Sequence, residues 1–306
     1  MEKPRIIFLV GPTAIGKTES AIYLSRMINA EIISCDSMQI YKKMDIISSK
    51  PPLSLRRKIP HHLIDIISPA KEYNVSRFFK EASLKVNDIL KRGKIPLLVG
   101  GSGLYMSILI DGIFEQKAAD KNIRLRLFNQ AKRLGNSYLH DRLEKIDPES
   151  AARIHLHDTK RIIRALEVFE VTGKPISLLK QQRSGLADKY QIKIFALKLN
   201  RNKLYEKINQ RVEGMFENGL INEVKGLLKS KLSSTASYAI GLRELKGFFE
   251  GLYDLEETKE QIKHNTRLYA KRQLTWFKKD KRIVWIKVGS QEKPRETAKK
   301  IWKRLY

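Results

Sequence analysis

Arg5-Ile6-Ile7-Phe8-Leu9-Val10-Gly11-Pro12-Thr13-Ala14-Ile15-Gly16-Lys17-Thr18 decides the fold. Its first six residues are a short apolar run behind one arginine, the pattern of a strand buried on both faces of a parallel sheet. The next eight follow G-x-x-x-x-G-K-T. Glu19 to Ile28 then has helical spacing, with Ala21, Leu24, Ser25 and Ile28 on one face. Strand, glycine loop and helix in this order make a phosphate-binding loop. Gly11 and Gly16 let the backbone curl until successive N–H groups point inward, and the helix N-terminus adds partial positive charge. Lys17 supplies a full charge, and the Thr18 hydroxyl suits Mg²⁺. The expected ligand is a polyphosphate or a pyrophosphate.

The chain has 306 residues, long for one core, so two lobes are expected. No apolar run approaches the length of a membrane span, and Met1-Glu2-Lys3-Pro4 leads straight into the strand, so neither membrane nor secretion signal is expected. Cys35 is the only cysteine, which rules out an intrachain disulfide and fits the reducing cytoplasm. Lys and Arg number 60 against 33 acidic residues, a formal +27. A protein gripping a phosphate backbone needs such an excess. A solvated basic surface would give the same composition, so charge alone leaves both open.

Further along, Glu31 to Cys35 reads as a second strand, with Asp36-Ser37-Met38-Gln39 at its carboxyl end. Ligands of open parallel sheets bind at those ends, which puts Asp36 near the phosphate loop. His61 to Asp65 is short and extended, and the His61-His62 pair lacks further ligands at zinc spacing. Val75 to Lys91 is an amphipathic helix. Ile95 to Val99 is a third strand, and it ends in Gly100-Gly101-Ser102, where motors and hydrolases commonly place a metal-organising aspartate. The missing aspartate argues against hydrolysis and leaves Asp36 as the carboxylate available for chemistry.

From Glu115 to about Lys189 strand patterns vanish, and helices are expected over Ile123–Leu134, Asn136–Lys145 and Asp158–Thr172. A strand returns at Ile192–Leu197 and is expected to rejoin the sheet. Later helices are expected over Asn202–Asn218, Ile221–Lys229, Leu242–Phe249 and Leu255 to Lys278, with a last strand at Arg282–Ile286. The fold class is thus α/β: a P-loop parallel sheet flanked by helices, with a helical insertion. The expected domains are residues 1–114 and 191–306 as the core and 115–190 as the insertion. On the late helix, Tyr269, Arg272, Gln273 and Trp276 share a face that could stack on bases. A buried helix face explains them equally, and Trp276 is expected inside.

Several stretches together resemble the bacterial tRNA dimethylallyltransferase (tRNA isopentenyltransferase) family. They are Gly11–Thr18, Asp36-Ser-Met-Gln-Ile-Tyr41, Pro60-His-His-Leu-Ile-Asp65, Gly100-Gly-Ser-Gly-Leu-Tyr105, Asp158-Thr-Lys-Arg-Ile-Ile-Arg-Ala-Leu-Glu167, Ala239-Ile-Gly241 and Thr266–Phe277. The resemblance implies transfer of a dimethylallyl group from dimethylallyl diphosphate to N6 of adenine 37 in tRNAs that read codons starting with U. An exocyclic amine needs a base to take its proton, and Asp36 is where one is wanted, although a carboxylate beside a phosphate loop can also serve as an outer Mg²⁺ ligand or a helix cap. Thr13 and Ser102, on the loops expected to flank Asp36, would orient the base edge or the carboxylate. The family commonly has Thr where this chain has Ser102. By resemblance Arg211 is a further diphosphate contact, although its spacing alone reads as a solvated helix arginine. The phosphate loop, Lys17 and Mg²⁺ on Thr18 would take up the charge of the leaving group.

A target base must be turned out of its stack to react. By resemblance the tRNA contacts are Asp36, Ser37, Met38, Gln39, Ser102, Arg124, the run Lys160-Arg161-Ile162-Ile163-Arg164, and Arg272 with Gln273. A monomer working in the cytoplasm is expected, without the Cys/His finger that eukaryotic relatives append. A small-metabolite kinase, an adenylate isopentenyltransferase and a non-catalytic RNA-binding protein are the alternatives. The basic insertion and the intact Lys17, Thr18 and Asp36 weigh against them.

Overall fold

A computed structural model describes residues 3–114 and 120–306. Six parallel strands form one sheet: β1 (Arg5–Val10), β2 (Ala30–Ser34), β3 (His61–His62), β4 (Ile95–Gly100), β5 (Gln191–Lys198) and β6 (Ile283–Lys287), in the order β3-β2-β4-β1-β5-β6. Alternate side chains of β1 enter opposite cores. Ile6, Phe8 and Val10 join the apolar cluster on one face, and Ile7 and Leu9 the cluster on the other. That double burial is why the run carries no polar residue.

Local chemistry sets the helix limits. Asn74 caps the Val75–Lys91 helix by accepting from Arg77 N at 2.9 Å, while Phe78, Ala82, Val86 and Ile89 line its buried side. Asp254 and Glu257 close a capping box at the start of the Leu255–Phe277 helix. The chain falls into two compact units. One runs to Ile110 and resumes at Leu186; the other is Asp111–Gly185. The second is helical and packs around its own core, which includes Leu127, Leu139, Leu143, Ile162 and Leu166. It begins a few residues before Glu115 and ends a few residues before Lys189, where the sequence character changes. Residues 115–119, where the expected insertion begins, lie outside the described residues.

The two helices expected either side of position 135 are present within Lys121–Ile146, separated by Gly135, whose non-helical φ 85° and ψ 164° break the run. One detail differs from the expected elements. Short helices at Pro148–Arg153 and Ile176–Gln181 were not evident in the pattern. Both are only six residues long, too short for a helical period to show.

Candidate active site

The carboxyl ends of β1, β2 and β4 lie side by side, with Val10 in register with Gly100 and Ser34 with Val99. The sheet order reverses here, because the chain leaves β1, passes over β4 to build β2, and returns. A crevice at such a switch point is where open α/β sheets bind ligands. Past its end, β2 stays stitched to β4: Cys35 N donates to Val99 O at 2.8 Å, and Ser102 N to Cys35 O at 3.3 Å. Gly100 permits this approach, since a β-carbon there would fall 2.0 Å from Cys35 O. The stitching carries Asp36 into the crevice beside the phosphate loop.

The cleft holds about 80 Å³ and is lined by Lys17, Thr18, Asp36, Arg211, Tyr269 and Gln273, among others. Thr13 also lines it, and the Ser102 backbone adjoins it through Gly101. Gly16, at φ 91°, takes the left-handed conformation that ends the loop and starts the Lys17–Met27 helix. Lys17 Nζ donates to Pro12 O at 2.7 Å, folding the side chain back over its own loop. Burial first, and then the neighbouring Arg211, push the Lys17 amine down to about 8. Burial also lowers Arg211, against the pull of Asp36. Two cations thus share a desolvated crevice with one carboxylate, an arrangement that favours an anionic ligand.

Asp36 Oδ1 accepts from Met38 N at 2.8 Å, which sets the carboxylate in a tight turn. Tyr269 stands near it, its phenol raised by burial and then by the Asp36 charge. Ser102 Oγ accepts from Tyr105 N at 3.4 Å at the start of the Gly103–Asp111 helix.

Gln273 has a role the pattern did not suggest. Its Oε1 accepts from Thr13 N, and its Nε2 donates to Gly101 O, both at 2.9 Å. The side chain is buried and joins the phosphate loop to the β4 turn. Gln39, half-buried in the cleft lining, accepts from Ser34 Oγ at 2.9 Å and donates to Ser48 O and Ser49 O. Arg272 is exposed, its guanidinium 5.9 Å from the Tyr269 ring centre. Trp276 is not buried as expected: it is 38% exposed, with its indole over Gly103, where a β-carbon would lie 2.2 Å from Cδ1. Ser37 and Met38 are half-buried.

The helical unit carries its own polar constellation. Glu167, wholly buried, accepts from Arg124 through both oxygens at 3.0 Å and from Arg164 at 2.9 Å. Lys160 and Arg161 are exposed, and Arg161 pairs with Asp158 at 3.3 Å. Ile162 and Ile163 are corrected: their side chains are 0% and 4% exposed, buried among Leu139, Leu143 and Leu166, so they cannot present themselves to RNA. In a helix, consecutive residues turn away from one another, so basic neighbours do not make the residues between them a contact.

The 48–51 segment carries no functional signal in the sequence. Ser48, Ser49 and Pro51 line the cleft, and Ser49 Oγ accepts from Arg211 Nε at 2.9 Å. In sequence only Lys50-Pro51-Pro52 stands out, as the mark of a loop.

Among the described residues no group of three or more His, Cys, Asp or Glu could hold a metal, and no helix is long and apolar enough to cross a membrane. Sheet order, glycine loop and crevice define an α/β protein in which a G-x-x-x-x-G-K-T loop and a carboxylate line one cleft. A profile of the family described as IPP transferase matches residues 39–280, and one described as isopentenyl transferase matches residues 4–58. The chain is 46% identical to the tRNA dimethylallyltransferase of Carboxydothermus hydrogenoformans, over 97% of this chain and 96% of that one. It is 44% identical to that of Halothermothrix orenii, over 93% and 88%. Among solved structures it is similar to the tRNA isopentenylpyrophosphate transferase of Bacillus halodurans, with TM-score 0.72, 37% identity and coverage of 99% and 97%. A eukaryotic dimethylallyltransferase acting on tRNA gives TM-score 0.80 at 30% identity, over 93% of this chain and 74% of that one. The chain belongs to the IPP transferase family, the bacterial tRNA dimethylallyltransferases, and is a transferase acting on tRNA.

Proposed function

We propose that the enzyme transfers the dimethylallyl group of dimethylallyl diphosphate to N6 of adenosine 37 in tRNAs that read codons starting with U. The observation that supports it best is the grouping of Lys17, Arg211 and Asp36 in one cleft. The cations receive the diphosphate and the carboxylate faces the nucleophile. Asp36 removes a proton from the N6 amine as the bond from N6 to the allylic carbon forms. The carbon–oxygen bond to diphosphate breaks, and the departing charge is met by the loop N–H groups, Lys17 and Arg211. Thr13 and Ser102 sit on the two loops beside Asp36 and orient the base edge or the carboxylate.

The donor set suits a Mg²⁺ that arrives with the substrate. Thr18 lines the cleft with one hydroxyl, and no preformed acidic cluster is present among the described residues. Mg²⁺ binds mostly through substrate phosphates and water, needing few protein ligands. Thr18 would hold it, and it would supply positive charge to the leaving group.

The exposed Lys160 and Arg161, with Arg124 and Arg164, form the tRNA-binding face of the insertion, residues 115–190 of the sequence. Asp36, Ser37, Met38, Ser102 and Arg272 contact the anticodon loop near the target. Gln39 and Gln273 support that contact from within, holding the loops that carry it. The enzyme works as a cytoplasmic monomer.

The test is incubation with labelled dimethylallyl diphosphate and an anticodon stem-loop carrying adenines at 36 to 38, with labelled ATP in parallel. Label is expected on adenosine 37 from the isoprenoid donor only. Transfer of phosphate from ATP, with no prenylation, would sink the proposal.

A further inference from the structure

Arg211 is half-buried in the cleft wall, and one of its nitrogens is already bonded within the protein. Nε donates to Ser49 Oγ at 2.9 Å. That leaves the outer guanidinium nitrogens for a phosphate, aimed by the bond at Nε. Ser49 is itself strained. Its φ is 48°, the left-handed region that serine rarely enters, and such residues persist only where the surroundings over-determine them.

The constraint comes from the Leu220–Leu228 helix. Glu223 there accepts from three successive backbone N–H groups: Asp45 at 2.9 Å, Ile46 at 2.8 Å and Ile47 at 2.9 Å. Three N–H groups converging on one carboxylate form an anion nest, closed here by the protein's own side chain. The hold is passed on. Ile46 O accepts from Ser49 N at 2.9 Å and from Ser49 Oγ at 3.4 Å. The serine proton is thereby directed inward, and its oxygen is turned to Arg211.

We propose that Glu223 and Ser49 are positioning residues for Arg211. Glu223 fixes the 45–47 backbone, Ile46 O orients the Ser49 hydroxyl, and that hydroxyl sets the guanidinium against the diphosphate. This rests on Arg211 being a diphosphate contact, as proposed above.

The test measures inhibition by inorganic pyrophosphate, together with the KM for tRNA, in Arg211→Met, Ser49→Gly, Glu223→Gln and the Ser49→Gly/Glu223→Gln double variant. Ser49→Gly removes the hydroxyl while relieving the backbone. It is expected to weaken pyrophosphate about fivefold, the scale of one hydrogen bond, and to leave the KM for tRNA unchanged. Glu223→Gln puts an amide donor where an acceptor is needed and is expected to do the same. In the double variant Glu223→Gln adds nothing for pyrophosphate, because the hydroxyl it acts through is gone. If Arg211→Met leaves pyrophosphate inhibition unchanged, the diphosphate role of Arg211 fails. If Arg211→Met weakens it but Ser49→Gly does not, the positioning inference fails. Fully additive losses in the double variant, or an equal rise in the KM for tRNA, would also overturn it.

Discussion

Gln273 donates Nε2 to the carbonyl of Gly101 at 2.9 Å, and Gly101 has no side chain because a β-carbon there would lie 2.1 Å from that nitrogen. The same amide takes the Thr13 N–H, so one side chain on a late helix spaces two cleft-lining loops that are far apart in sequence. The glycine that replaces the usual strand-end aspartate makes room for this clamp.

Gln273→Ala leaves a buried carbonyl and an N–H without partners and is expected to cost about 1–3 kcal/mol of stability. Gly101→Ala should be more damaging to turnover, because the alanine methyl expels the amide. Combining the two should cost less than their sum, since Gln273→Ala clears the space the methyl needs. Thermal denaturation and turnover of the three variants check this; strict additivity would refute the clamp.

Asp36→Asn keeps the shape of the turn, because the amide oxygen can still accept from Met38 N. It cannot take a proton. Transfer is expected to fall about 10²-fold or more while tRNA and donor still bind. Turnover within tenfold of the parent enzyme, a range of about 1.4 kcal/mol, would remove Asp36 from the role of base.

Lys17 is expected to give the proposed donor site a pH dependence. Its folded-state value of about 8 lies below its ordinary value of 10.5. Between those values the unfolded chain binds the extra proton, so the free enzyme gains stability as pH rises through that window. Donor binding runs the other way. The diphosphate favours charged Lys17, so affinity is greatest below about pH 8 and falls above it, with proton uptake on binding there. Titration calorimetry in two buffers of different ionisation enthalpy reads this directly. Affinity that stays flat from about pH 7 to about pH 9.5 would contradict the lowered amine.

The helical unit is tested by salt. Arg124→Ala and Arg161→Ala should each weaken tRNA binding and reduce the slope of log affinity against log salt by roughly 0.7–0.9 for each phosphate no longer neutralised. Replacing Ile162 with alanine should instead cost about 2–5 kcal/mol of stability with the slope unchanged, because that side chain is core. Slopes that ignore both arginine changes would take this surface out of the RNA interface.

The apolar run Ile6 to Val10, the glycine loop, the amphipathic helix over Val75 to Lys91 and the two helical patterns Ile123–Leu134 and Asn136–Lys145 were all legible. Each is a local matter of period, capping or backbone freedom acting over a few residues. The P-loop α/β class and the place of Asp36 at a strand end follow from such signals. What only the tertiary structure decided is which distant groups meet: Gln273 with Thr13 and Gly101, Glu223 with the 45–47 backbone, Ser49 with Arg211, and Glu167 with Arg124 and Arg164. These meetings depend on the sheet order and on how helices pack across it, and no spacing along the chain encodes them. The same reason hid the burial of Ile162 and Ile163 and the exposure of Trp276. A periodic pattern says that a helix has a face, but packing selects the face that is covered.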